Sequence, residues 1–271
     1  MMAKYAAVLL AGLGLIAAGF TSANQTAPTS TAAAPPMFDV AAIRPSGDAP
    51  RDNCYMKGQP GGQTFTGRCI PLGMIIKYAY KIIDSQMVGA PAWVDSEVYD
   101  FEAKSDRPVT RAQVAAMFQR LLADRFKLKL HTETRTMPAL ALTVDKGGNK
   151  MTVNETEYEW EIPIQPIPGK IPTLKGWRCP MQYLAWYLGQ RAQRPVVDKT
   201  GLTGFWDFKL EFVPDGMGEG ARKGPNGETG LPLEGPSLAT AVREQLGLKL
   251  EPEKGPVDVY VIDHVEKASA N

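Results

Sequence analysis

The order of apolar patterns along this chain repeats, and that repetition constrains the possible folds more than any single motif does. A helix, a strand, a second helix and two further strands are expected over roughly residues 64–145, and the same series returns over roughly 172–264. Leu72, Ile75, Ile76, Ala79, Ile82 and Ile83 recur at helical spacing after Cys69-Ile70-Pro71, as do Met181, Leu184, Ala185 and Leu188 after Cys179-Pro180. Proline suits both starts, because the amide hydrogen it lacks has no partner in a first helical turn. Strands follow at 98–103 and 205–210. In these, Tyr99, Phe101 and Ala103 match Trp206, Phe208 and Leu210 on one face, with Asp100 and Asp207 on the other. Thr110 caps a helix carrying Val114, Phe118, Leu121 and Leu122, and Ser237 caps a shorter one carrying Leu238, Ala241 and Val242. Residues 126–130 and 246–250 then alternate in the same parity, and a charged turn separates each from a last apolar strand, at 139–144 and 257–262.

The expected fold is α+β, with two tandem related lobes at 37–145 and 172–271. Each lobe is read as a small mixed β-sheet with two helices on one face. Residues 146–171 connect them, and the Gly/Pro-rich stretch 214–236 reads as a mobile insertion in the second lobe.

Ahead of the first lobe stand Lys4, an apolar run over 6–20 and the small residues Thr21-Ser22-Ala23. This is the layout of a signal peptide over 1–23. The run is shorter than the roughly 20 residues a membrane span needs. A Thr/Ala/Pro stretch at 24–36 reads as a disordered tether. The mature chain is therefore expected to be periplasmic or secreted, with no membrane span. Lys+Arg number 30 against 29 Asp+Glu, and cleavage removes Lys4, the one charge in 1–23. That balance excludes the basic face that nucleic-acid binding requires.

Of three cysteines, Cys54 and Cys69 fall opposite each other on a hairpin turning at Gly61-Gly62, and export permits a disulfide between them. Cys69 with Cys179 is the rival pairing, since both lie just ahead of a proline-started helix. Under the first pairing Cys179 is left as a buried thiol.

Catalytic signatures are sparse. There are two histidines in the chain, and no G-x-S-x-G elbow, His-Glu-x-x-His pair or phosphate-binding glycine loop. Asp198-Lys199-Thr200-Gly201-Leu202-Thr203 looks like the phosphorylated-aspartate signature of P-type ion pumps but is one residue short. It is read as a turn in which Asp198 accepts backbone N–H bonds and Gly201 is left-handed. His131 with Glu133, and Asp263 with His264, read as solvated strand charges. No catalytic residue, metal ligand or cofactor is assigned. The candidate binding residues are aromatic: Trp93, and Tyr183, Trp186 and Tyr187 beside the apolar stripe of the 180–191 helix.

The segments 38–46, 89–93, 121–128, 197–204, 235–238 and 245–250 resemble a family of exported proteins of unknown function, abundant in soil Acidobacteria. The family's domain also occurs with BlaR1-type sensor metallopeptidases. Each lobe is similar in outline to the short N-terminal domains of secretins and TonB-dependent receptors, which dock proteins. The resemblance implies a non-catalytic extracytoplasmic binding or sensing module with a protein or small-molecule partner. The alternative is a secreted hydrolase, metal-assisted through His131 or His264.

Overall fold

The structure is a computed structural model that describes residues 37–47, 54–58, 61–156, 162–167, 173–213, 222–223, 229–230 and 234–268. The expected signal peptide and tether lie outside these residues, as does most of the expected insertion. Strands β1 (Val40–Pro45), β2 (Tyr55–Lys57) and β3 (Thr64–Pro71) precede helix α1 (Leu72–Tyr80). Then come β4 (Met87–Val88), the one-turn α2 (Trp93–Ser96), β5 (Val98–Lys104), α3 (Arg111–Phe126) and the long β6 (Lys129–Val144). The series continues with β7 (Thr152–Val153), β8 (Ile162–Ile167), β9 (Thr173–Cys179), α4 (Met181–Ala192), β10 (Val196–Asp198) and β11 (Trp206–Glu211). A short pair, β12 (Arg222–Lys223) and β13 (Thr229–Gly230), leads to α5 (Leu238–Ala241), a π-helical turn at Val242–Leu246, and β14 (Leu248–His264). The fold is mixed α and β, and no described helix is long and apolar enough to cross a membrane.

Period-two burial makes β5 a half-covered strand. Tyr99, Phe101 and Ala103 turn into the core, while Glu102 and Lys104 face water. It is central in the antiparallel sheet β1-β5-β3-β2, and β11 is central in the antiparallel sheet β7-β11-β9-β8. The connecting segment 146–171 thus supplies β7 and β8 to the second sheet. Neither small sheet is mixed, which corrects the expectation. Parallel pairing appears instead in a third sheet, β10-β6-β14-β4, where β4 and β10 return after α1 and α4 to lie parallel to β14 and β6.

The two long strands also replace the four short ones expected. β6 and β14 pair antiparallel from Leu248↔Val144 to His264↔Lys129. The charged stretches read as turns run straight through this ladder, with Thr134 opposite Asp258 and Glu251 opposite Ala141. Pro138, Pro252 and Pro256 lie in this ladder, and neither β10 nor β4 pairs with any of them.

Helix boundaries follow local chemistry. Thr110 Oγ1 accepts from the Gln113 amide, and the Gln113 side chain accepts from the Thr110 amide, closing a capping box on α3. Ser237 accepts from Thr240 N at the start of α5. Lys81, in the left-handed conformation, ends α1, so Ile82 and Ile83 are buried beyond the helix rather than within it.

The same devices occur in both halves. A Cβ on Gly67 would lie 2.1 Å from the Phe101 ring, and one on Gly176 would lie 2.3 Å from Phe208, so in each sheet only glycine admits the crossing aromatic. Next to each glycine the ladder shifts register, and a non-glycine residue takes a left-handed backbone, Cys69 at φ 46° and Arg178 at φ 48°. Asp100 Oδ1 accepts from the Cys69 amide at 2.9 Å, and Asp207 Oδ1 from the Arg178 amide at 2.8 Å. Cys69 is therefore equivalent to Arg178, not to Cys179. It bonds instead to Cys54, with the Cα atoms 5.2 Å apart, as the Tyr55↔Arg68 register of β2 and β3 allows. Cys179 is buried in the second core.

Two apolar cores form within one compact unit. The first gathers Phe65, Tyr99, Phe101, Phe118 and Phe126 under α1 and α3, and the second gathers Leu184, Leu188, Phe208 and Leu210 under α4 and α5. Each takes a residue from the other half of the chain. Ile262 of β14 lies in the first core and Leu142 of β6 in the second.

Candidate functional site

The aromatic residues of α4 direct attention to its contact with the first half. Trp186 Nε1 and Gln190 Nε2 both donate to the Ile82 carbonyl, at 3.3 and 2.8 Å. That carbonyl faces α4 because Lys81 has just turned the chain out of α1. Tyr183 lies one turn before Trp186, with ring centroids 5.0 Å apart.

Two cations from the first half meet these rings. The Lys81 amine donates to the Tyr78 carbonyl at 2.8 Å and stands 3.6 Å from the Tyr78 ring centre and 4.9 Å from that of Trp186. Arg111, the first residue of α3, lays its guanidinium 3.9 Å over the Tyr183 ring. Tyr260 of β14 packs on Tyr80 of α1 at 5.7 Å and adds a further wall. Tyr80, Lys81, Arg111, Tyr183, Trp186 and Tyr260 line a cleft of about 480 Å³, and no Asp or Glu is among its described lining residues. A second cleft, of about 540 Å³, shares Lys81, Trp186 and Tyr260 but includes Asp198 and Asp258.

Burial, reinforced by the nearby Arg111 charge, lowers the Lys81 amine to about 7. Ammonium is thus disfavoured by lost hydration and favoured by the two ring faces. Burial also pushes the Tyr183 phenol up to about 12, against the pull of Arg111, and raises Tyr78, Tyr80 and Tyr260. At neutral pH the cleft therefore holds one amine near its midpoint and phenols that remain O–H donors.

Of the aromatics singled out from the sequence, the structure brings Tyr183 and Trp186 together in this cleft. Tyr187 packs on the second core, its hydroxyl accepting from Arg191 Nη2 at 2.7 Å. Trp93 opens α2 and packs on the first core, with the Lys267 amine 5.7 Å from its ring centre. Sequence reasoning missed Lys81, Arg111 and Tyr260. The pairing of an aromatic-flanked helix end, Tyr78-Ala79-Tyr80-Lys81, with a cation just after the Thr110 cap was a faint signal, but the sequence does not show that the two ends meet.

The other features singled out serve structure. His131 Nδ1 lies 2.8 Å from Asp263 and Nε2 lies 3.1 Å from Glu133, whose carboxylate also binds Arg135. Hydrogen bonds to Asp263 and then Glu133 raise the His131 pKa. His264 pairs with Glu266 at 2.8 Å. Among the described residues no three His, Cys, Asp or Glu side chains are placed to hold a metal ion. Asp198 Oδ1 accepts from the Thr200 amide and hydroxyl, and Gly201 has φ 68°, which makes an Asx-type turn. A hollow of about 600 Å³ over Gly67 carries Arg44, Arg68, Asp100 and Glu102. Its Asp100 is committed to the β3 bulge and its Glu102 to Lys104.

No curated protein and no solved structure matches the chain. A family described as "Protein of unknown function (DUF3738)" matches residues 73–265, from within α1 to just past the end of β14, leaving the disulfide outside the matched span. The shared unit therefore contains every residue of the 480 Å³ cleft, and the chain belongs to the DUF3738 family.

Proposed function

We propose that the chain is an exported, non-catalytic binding or sensing module of two related lobes, and that it holds a small anionic ligand in the cleft where α4 meets α1 and α3. One observation carries this reading: the Lys81 amine lies in a cleft with tyrosine and glutamine donors and without a lining carboxylate among the described residues. Low-dielectric walls focus the field of like charges and draw in the opposite sign. A cleft of about 480 Å³ is of a size that takes a small molecule. The repeated bulge, glycine and aspartate devices support two related lobes, and the 1–23 pattern supports export to the periplasm or beyond. The resemblance to exported soil-bacterial proteins whose domain accompanies BlaR1-type sensors, and of each lobe to protein-docking domains of secretins and TonB-dependent receptors, points to recognition rather than turnover.

Thermal unfolding of the chain in acetate, benzoate, phosphate and matched chloride is the test. Saturable stabilisation by at least one of the three anions over chloride, weakened in Lys81→Met, is expected. Identical midpoints in all four salts would overturn the reading.

A further inference from the structure

The 480 Å³ cleft is walled by rings rather than by aliphatic side chains. Tyr80 closes α1, Tyr183 and Trp186 stand one turn apart on α4, and Tyr260 comes from β14. They meet as two tilted pairs, Tyr80 with Tyr260 at 5.7 Å and Tyr183 with Trp186 at 5.0 Å between ring centres. All four are half-buried, so part of each ring remains open to a ligand. The other apolar lining is alanine and proline, and no Leu, Ile, Val, Met or Phe is among the described lining residues. Branched aliphatic walls mould themselves round a flexible chain, whereas small residues between flat rings leave a slot for a flat one. Burial also raises the Tyr80 and Tyr260 phenols, so these rings stay neutral and do not repel an acid.

Resting on the anion-cleft reading, we propose that the ligand is a planar aromatic carboxylic acid, its ring against Trp186 and Tyr260 and its carboxylate at the Lys81 amine. These three groups also line the neighbouring cleft of about 540 Å³, so the amine and two of the rings stand together between the two clefts. Asp198 and Asp258 line that second cleft and disfavour an acid there, which leaves the carboxylate-free side. The left-handed Lys81 backbone, held by its N–H to the Lys77 carbonyl, sets the direction in which the side chain leaves α1. An ammonium carries three N–H donors, and the Tyr78 carbonyl takes one of them at 2.8 Å. A carboxylate beside the amine favours its charged form and offsets the burial that disfavours it. Aromatic rings meet offset-stacked or edge to face, contacts that a saturated ring of the same size does not make.

The test measures, by titration calorimetry on the full chain at neutral pH, the dissociation constants of benzoate and cyclohexanecarboxylate. The two acids share charge and ring size, and benzoate alone is flat with π faces. Benzoate should bind about fivefold or more tighter, although the saturated ring is the more hydrophobic of the two. Tyr260→Leu, which keeps apolar bulk and removes a ring, should narrow the gap, and Tyr260→Phe should retain it. Benzoate binding no tighter than cyclohexanecarboxylate, with acetate or phosphate still stabilising the chain over chloride, overturns the aromatic acid and leaves the anion cleft standing. A preference for benzoate that Tyr260→Leu leaves unchanged, in a variant that unfolds at the wild-type midpoint, also overturns it. No saturable binding of either acid, with identical midpoints in all four salts, overturns both readings.

Discussion

Asp100 and Asp207 show how one side chain secures a strained turn of the backbone. A left-handed conformation costs an ordinary residue about 1 kcal/mol or more, and Cys69 and Arg178 both adopt it just before a helix. An aspartate across the sheet accepts from each of their amides and offsets the cost. Partial burial raises the Asp100 carboxyl, but the Cys69 amide, the Ser46 hydroxyl, Arg44 and Arg68 together hold it below the ordinary carboxylate value. Because its folded value is depressed, its contribution is present above the unfolded carboxylate range and is lost as pH falls through the folded value. Asp100→Ala should cost about 1–2 kcal/mol in urea unfolding at pH 7, with a smaller difference at acid pH. A pH-independent difference would show that the carboxylate charge has no part in it. The shared parity of the two aspartates was legible in the sequence. Their purpose was not, since nothing local marks Cys69 or Arg178 as left-handed.

At the scale of elements, strands and helices were legible where burial imposes a period. Both Pro-started helices, both caps and the β5 and β11 faces follow from it. Two signals misled. Charged stretches suggested turns inside β6 and β14, whereas a partner more than 100 residues away pairs with those backbones. Ile82 and Ile83 continued the α1 spacing, but Lys81 breaks the helix first and frees the Ile82 carbonyl for α4. The glycine beneath each crossing aromatic belongs to this scale as well. Gly67→Ala and Gly176→Ala should each destabilise the chain by about 1–3 kcal/mol in chemical denaturation, because the new methyl must displace a packed ring. A neutral result at either site would mean that the ring moves without cost.

The two halves of the chain are tied together by the β6–β14 ladder. Ile262 reaches the first core from the second half of the chain, and Leu142 reaches the second core from the first half. The exchange was not legible in the sequence, because periodicity carries no information on which strand pairs with which. Far-ultraviolet dichroism and tryptophan fluorescence should therefore report one coincident unfolding transition, and the 37–145 fragment should not fold by itself. Two separated transitions, or a cooperatively folded fragment, would contradict that. The exchange also sets the site, since α4 of the second half is pressed against the α1 end and the start of α3 in the first. The cleft's cations come from one half and two of its aromatic walls, Tyr183 and Trp186, from the other.

The most direct test of the anion cleft is amide and indole chemical-shift mapping by nuclear magnetic resonance during titration with benzoate at neutral pH. Saturable shifts centred on Lys81, Arg111, Tyr183 and the Trp186 indole are predicted. Shifts centred on the hollow over Gly67, or none that saturate, would contradict the account.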